Sequence, residues 1–160
     1  EERLDRAIAV TAGDMTPHAP VTGPAVGDSL TIERLCQAAV EVSDNPAANI
    51  LIRELGGLDA WRGWYRSIGD ETTRVDRLET ALNVPDGDKD TTTPAQVVRN
   101  LQRLFVGGGV GAHRDRLTRW LTDTPTGAGR IKAGSCWSPP ITTRPKRPRP
   151  SSATQSSPRR

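Results

Sequence analysis

The chain has 160 residues, enough for one ordinary domain, yet hydrophobic residues make up only 34% of it, against roughly 45–50% apolar usage, glycine included, in globular domains. Its formal net charge of +3 comes from the C-terminal end: residues 135–160 hold Arg144, Lys146, Arg147, Arg149, Arg159 and Arg160 and no acid, so the other residues carry 16 basic against 19 acidic groups. The basic pI therefore says nothing about nucleic-acid binding by the folded part, two cysteines are too few for a disulfide-stapled scaffold, and no apolar run reaches the roughly 18 residues of a membrane span.

Residues 7–30 hold three prolines and three glycines with little periodicity and are predicted to be extended loop. Thr31 can cap a helix over Ile32–Val42, in which Ile32, Leu35, Cys36, Ala39 and Val40 recur on one face. Ser43-Asp44-Asn45-Pro46 ends that helix and starts the next: Asp44 or Asn45 can accept the free N–H groups, and Pro46 suits a first turn. Ala47, Ile50 and Leu51 continue it to a stop at Gly56-Gly57.

A third helix is predicted over Leu58–Ile68, with Trp61, Trp64, Tyr65 and Ile68 in a stripe of the kind that is usually core, and Gly69 at its end. Residues 69–92 lose helical period. Loops this long are uncommon unless functional or disordered. Thr93-Pro94 repeats the cap-plus-proline start, with Val97, Val98, Leu101, Leu104 and Phe105 as the expected buried face before Gly107-Gly108-Gly109. A fifth helix near residues 113–123 turns Leu117, Trp120 and Leu121 inward, and a short amphipathic piece is expected over Gly127–Ala133. From Ser135 the chain becomes rich in Pro, Arg and Ser, cannot bury enough apolar surface to offset its ordering entropy, and is expected to be a disordered tail.

Two groups of residues carry chemistry. Ser43-Asp44-Asn45 at a helix start can project a hydroxyl and a carboxamide into a cleft, although a capped helix start accounts for the triplet without any chemistry. In Arg77-Leu78-Glu79-Thr80-Ala81-Leu82-Asn83, the carboxylate of Glu79 and the carboxamide of Asn83 are four residues apart, on one side of a helical turn, with room for one water between them. That is an arrangement for a general base with a water-positioning partner; the plain alternative is a solvated charge run. Arg77 and Asp90 bracket the loop, and an ion pair between them would close it as an Ω.

Taken together and in this order, LCQAA at 35–39, SDNPAANIL at 43–51, ELGG at 54–57, the stretch from Ile68-Gly69-Asp70 to Arg77, R-x-E-x-x-L-N, DTTTP at 90–94 and TGAGRIKAG at 126–134 resemble class A serine β-lactamases. The likeness implies a mainly α chain: the helical subdomain and Ω-loop of the α/β fold shared with penicillin-binding proteins, in residues 1–134, with the sheet largely missing, followed by the tail of residues 135–160. It also implies hydrolysis of β-lactams by a monomer through a serine acyl-enzyme, without metal or cofactor, nucleic acid or membrane.

Carried over by motif, Ser43 is a proton shuttle to the leaving nitrogen, Glu79 the general base and Asn83 its water-positioning partner. Asn45, Arg130 and His18 are substrate contacts, Arg130 for the carboxylate and His18 at a gating aromatic position; Asp44, Arg77 and Asp90 are structural. The family's S-x-x-K nucleophile motif and its K-T-G are absent from the sequence, so the chain as printed is expected to be inactive. The family is usually periplasmic or secreted; with no apolar leader, this chain is expected to be cytoplasmic as printed.

The loop is shorter than usual between Asn83 and Asp90, Thr80 stands where proline is commoner, and Cys36 lacks the partner that some members have. The abrupt change after Gly134 points to a frameshifted or mispredicted gene end, which reading the neighbouring frames of the coding DNA tests. The sequence admits two other readings. A non-enzymatic module could bind nucleic acid or acidic surfaces through the basic tail, but only Trp137 interleaves its charges. A penicillin-binding-protein relative would lack the pair of Glu79 and Asn83.

Overall fold

The computed structural model describes residues 3–127. Arg130, most of the piece expected over Gly127–Ala133, and the tail lie outside the described residues.

The N-terminal stretch is more ordered than the expected loop. Strand β1 (Ala7–Ala9) pairs antiparallel with β2 (Ser29–Thr31), placing Ile8 opposite Leu30. Alternation explains the pairing: Ile8 and Val10 point into the core at 6% and 1% exposure while Ala7 and Ala9 face out. Prolines and glycines mask this short period in the sequence, and they build the two 3-10 turns that join the strands, Ala12–Asp14 and Gly23–Ala25.

Helix α1 (Ile32–Val42) starts where Thr31 accepts a bond from the Arg34 N–H at 3.1 Å. After only Ser43 and Asp44 comes α2 (Asn45–Leu55), ended by Gly56 at φ 112°, a conformation that costs a side-chain-bearing residue steric strain. These two helices and the hairpin enclose the core of Ile8, Val10, Leu35, Ala38, Ala47 and Ile50, flanked by Leu30, Ile32, Val42 and Leu51. Three further helices follow, α3 (Gly57–Ser67), α4 (Pro94–Phe105) and α5 (Arg114–Asp123). α5 packs on α1, and Arg116 pairs with Glu33 there at 2.8 Å.

Three expected core faces are open. No residue of α3 is fully buried and Trp64 is exposed; Val97, Val98 and Leu101 of α4 are about half exposed, with Gln96 its one buried side chain; Leu117 and Trp120 of α5 are half-buried and Leu121 is exposed. The patterns made the helices, but burial needs a covering layer, and among the described residues these faces lack one. Two strands are likewise all the sheet that the described residues contain, and no described helix is long and apolar enough to cross a membrane.

Candidate active site

The Ser43-Asp44-Asn45 turn is built around Asp44, which is wholly buried. Its Oδ2 accepts from the Val21 and Thr22 N–H groups at 2.8 and 3.0 Å, and its Oδ1 from the Thr22 hydroxyl at 2.7 Å and the Ala47 N–H at 2.9 Å. Burial alone would raise this carboxyl's pKa. The bonds from Thr22, Ala47 and Val21 outweigh it and hold the group below the usual carboxylate range. Asp44 thus caps α2 and staples its first turn to the segment before β2.

That rigid turn presents its neighbours outward. Ser43 is exposed and left-handed at φ 57°, ψ 38°, so its hydroxyl stands at the junction of α1 and α2. Asn45 donates through Nδ2 to the Pro17 carbonyl at 2.8 Å, while its N–H donates to the His18 carbonyl at 3.1 Å. His18 is itself left-handed at φ 63°, with ring Nε2 2.8 Å from the Val42 carbonyl oxygen. Ser43, Asn45 and His18 therefore gather at one end of α2.

The same helix holds the second motif. Asn49, one turn beyond Asn45 and so about 6 Å along the axis, clamps the Glu79 backbone from both sides: its Oδ1 accepts from the Glu79 N–H at 2.9 Å and its Nδ2 donates to the Glu79 carbonyl at 2.7 Å. Sequence reasoning passed over Asn49. The available signal was a carboxamide inside a helix, where Asn is unfavourable unless its side chain has other work, spaced i, i+4 from Asn45.

Glu79 is joined to Thr80 by a cis peptide, and a 3-10 turn over Ala81–Asn83 follows. The turn brings Asn83 Nδ2 to 2.7 Å from Glu79 Oε2, a direct bond where a water was expected between the two groups. Arg77 Nε donates to Asp90 Oδ2 at 2.6 Å, and the Asp76 and Arg77 N–H groups donate to Asp90 Oδ1 at 2.7 and 2.9 Å. Arg77 also reaches the Val84 carbonyl at 2.8 Å. Burial opposes ionisation of Asp90, and these donors, led by the Asp76 N–H, reverse it and leave its carboxyl below the ordinary value.

Glu79 lines a cleft of about 240 Å³ between the loop and α2 and α3, shared with Ala48, Ile52, Trp61, Tyr65 and Leu82. Ser43 and Asn83 do not line this cleft. The loop and the serine are linked through α2, whose Asn49 holds Glu79 and whose start is the Ser43-Asp44-Asn45 turn. Cys36, half-buried and free, lines a separate apolar cavity of about 350 Å³ with Leu51, Leu55 and Trp61. No cluster of three or more His, Cys, Asp or Glu side chains that could hold a metal occurs among the described residues.

Comparison with known proteins gives a consistent picture. A family model described as the beta-lactamase enzyme family matches residues 1–143. β-Lactamase AST-1 of Nocardia asteroides is 44% identical over 134 residues, 82% of this chain and 43% of that protein. Among solved structures, an ancestral class A β-lactamase shares 45% identity at a TM-score of 0.79, over 82% of this chain and 52% of that one. A class A β-lactamase from Mycobacterium abscessus also shares 45%, at a TM-score of 0.78, over 82% and 51%. The chain thus spans about half the length of these relatives. Given a family match over most of its residues and identities of 44% and 45%, the chain belongs to the class A β-lactamase family.

Proposed function

We propose that residues 1–134 supply, in a complete class A form, the helical wall and the deacylating base of an enzyme that hydrolyses β-lactams through a serine acyl-enzyme, in the periplasm or outside the cell as is typical of class A relatives. The observation that carries this reading is the placement of Glu79: its backbone is fixed by Asn49, on the helix that begins at the Ser43-Asp44-Asn45 turn, and its carboxylate by Asn83 of its own loop. With Oε2 occupied by Asn83, Oε1 accepts one proton of a water while Asn83 Oδ1 accepts the other. Proton transfer to Oε1 lets the water oxygen bond to the ester carbonyl carbon; the ester C–O bond then breaks and the departing serine oxygen takes up the proton held at Oε1, which regenerates the base.

In the preceding half-reaction the Ser43 hydroxyl relays a proton to the lactam nitrogen. Asn45, its Nδ2 held by Pro17, offers Oδ1 to an amide N–H of the substrate. His18 borders the entrance and Arg130 takes the substrate carboxylate. The chain itself carries no S-x-x-K serine and so has no group to open the ring.

Two assays test this. A chimera in which residues 31–93 replace the matching span of AST-1 is expected to turn over a chromogenic lactam, and its Glu79→Gln version to accumulate a covalent adduct visible by intact mass; undiminished turnover in that version would remove Glu79 from the mechanism. The purified 160-residue chain is expected to match its Glu79→Ala control, and turnover above the control would refute its inactivity.

A further inference from the structure

The loop that carries Glu79 has a second fastening, at its base. Asp70, wholly buried and without an ion-pair partner among the described residues, accepts from the Thr72 and Thr73 N–H groups at 2.8 Å each, from the Thr73 hydroxyl, and from Asn100 Nδ2 of α4 at 2.7 Å. The Thr73 hydroxyl also meets that of Thr92 at 2.8 Å, and the Arg74 N–H donates to the Thr91 carbonyl at 2.8 Å, so the two ends of the loop meet beside this carboxylate. Arg66 completes the base from α3, donating to the Asp70 and Thr73 carbonyls.

We propose that Asp70 and Asn100 form a positioning pair: a buried carboxylate and a half-buried carboxamide that lock α4 to both ends of the loop and thereby hold Glu79 in register, independently of the pair formed by Arg77 and Asp90. Two features argue for it. The apolar face of α4 is open over Val97, Val98 and Leu101, about half exposed, with only Leu104 and Phe105 partly covered, so its one buried side chain, Gln96, and the neighbouring Asn100 fasten its first half; Gln96 donates to Asn100 Oδ1 at 2.9 Å and so orients the carboxamide. A buried carboxylate that receives four donors is also a demanding acceptor: one missing donor or one substituted oxygen leaves the remaining groups unmatched. The pair's role in loop order is independent of the catalytic reading, whereas its importance for Glu79 rests on it.

Hydrogen exchange on the 160-residue chain tests the pair without any turnover, so its failure is distinct from failure of the lactamase reading. Asn100→Ala and Asp70→Asn are each expected to lower protection of the Asp76, Arg77 and Glu79 amides by about tenfold or more, leaving the amides in the middle of α1 and α2 within about twofold of the parent. The swap Asp70→Asn with Asn100→Asp restores a carboxylate facing a carboxamide and is expected to recover most of the loop protection. The proposal is overturned by unchanged loop protection in Asn100→Ala, by an equal loss across α1, α2 and the loop, or by a swap no better protected than Asp70→Asn.

Discussion

Replacing Asp44 by Asn changes one oxygen for an NH₂ group and leaves the shape alone, so its cost measures how far the Ser43-Asp44-Asn45 turn depends on a charged acceptor. The carboxylate receives two donors on each oxygen. An amide oxygen placed toward Val21 and Thr22 keeps those two N–H groups. The NH₂ then faces the Thr22 hydroxyl, which can rotate to accept, and the Ala47 N–H, which cannot. One buried donor is orphaned, at about 1–3 kcal/mol, and the retained bonds lose their charge assistance. The sum is about 3 kcal/mol, a large fraction of the roughly 5–15 kcal/mol that stabilises a domain. Urea unfolding followed by tryptophan fluorescence reads it directly, with Asp59→Asn as control, because that side chain is 92% exposed and its change is expected to stay within about 0.5 kcal/mol. An Asp44→Asn midpoint as close to the parent as the control's would refute the argument that four donors converge on a required charge.

Asn49→Ala removes both clamps on the Glu79 backbone and is expected to cost about 1–2 kcal/mol in the same urea titration, with the Glu79 amide losing protection from exchange. Arg77→Lys keeps the charge but not the guanidinium that spans Asp90 and Val84, so limited proteolysis within residues 84–89 should quicken several-fold. Gly56→Ala forces a side chain into φ 112° with its Cβ 3.2 Å from the Ala60 Cβ, expected to lower stability by about 1–2 kcal/mol. In acid, Asp44, Asp70 and Asp90 all have carboxyls held below their unfolded values, so their stabilisation is complete above about pH 4 and is lost as pH falls through the lower folded values; circular dichroism at constant ionic strength should show steep destabilisation below about pH 4, and a flat profile from pH 5 to pH 2 would contradict it.

Local chemistry was legible from the residues and tertiary cover was not. Thr31, Asp44 and Thr93 each accept the N–H three residues on, as their types and the prolines at 46 and 94 imply, since a cap is decided within one turn of chain. The stripes of α3 and α4 have the same period as a buried face, but whether they are buried depends on a layer that is no property of the helix itself. Asn49 and Asn100 escaped notice for a related reason: each meets a partner 30 residues away, and only the fold supplies it. The bracket formed by Arg77 and Asp90 is longer-range too, yet opposite charges at the two ends of an aperiodic stretch suggested it, whereas a carboxamide inside a helix signals at most that it has a partner, not which one.

A loop with few apolar residues has to be held by polar groups, and that choice has consequences. Dispersion and burial tolerate small shifts, but hydrogen bonds to buried carboxylates fall away steeply with distance and angle. The segment from Asp70 to Thr92 is pinned at its base by Asp70, at its centre by Asn49 and across its neck by Asp90, each through at least two hydrogen bonds at 2.6–3.1 Å. Such fastening fixes Glu79 without fully burying it: the residue lines an open cleft and its carboxylate keeps the exposed amide of Asn83 as neighbour. The base proposed above, which holds a water and then accepts its proton, needs that combination of a rigid backbone and a wet head group; apolar anchoring of the same loop would have fixed the backbone only by drying the proposed base.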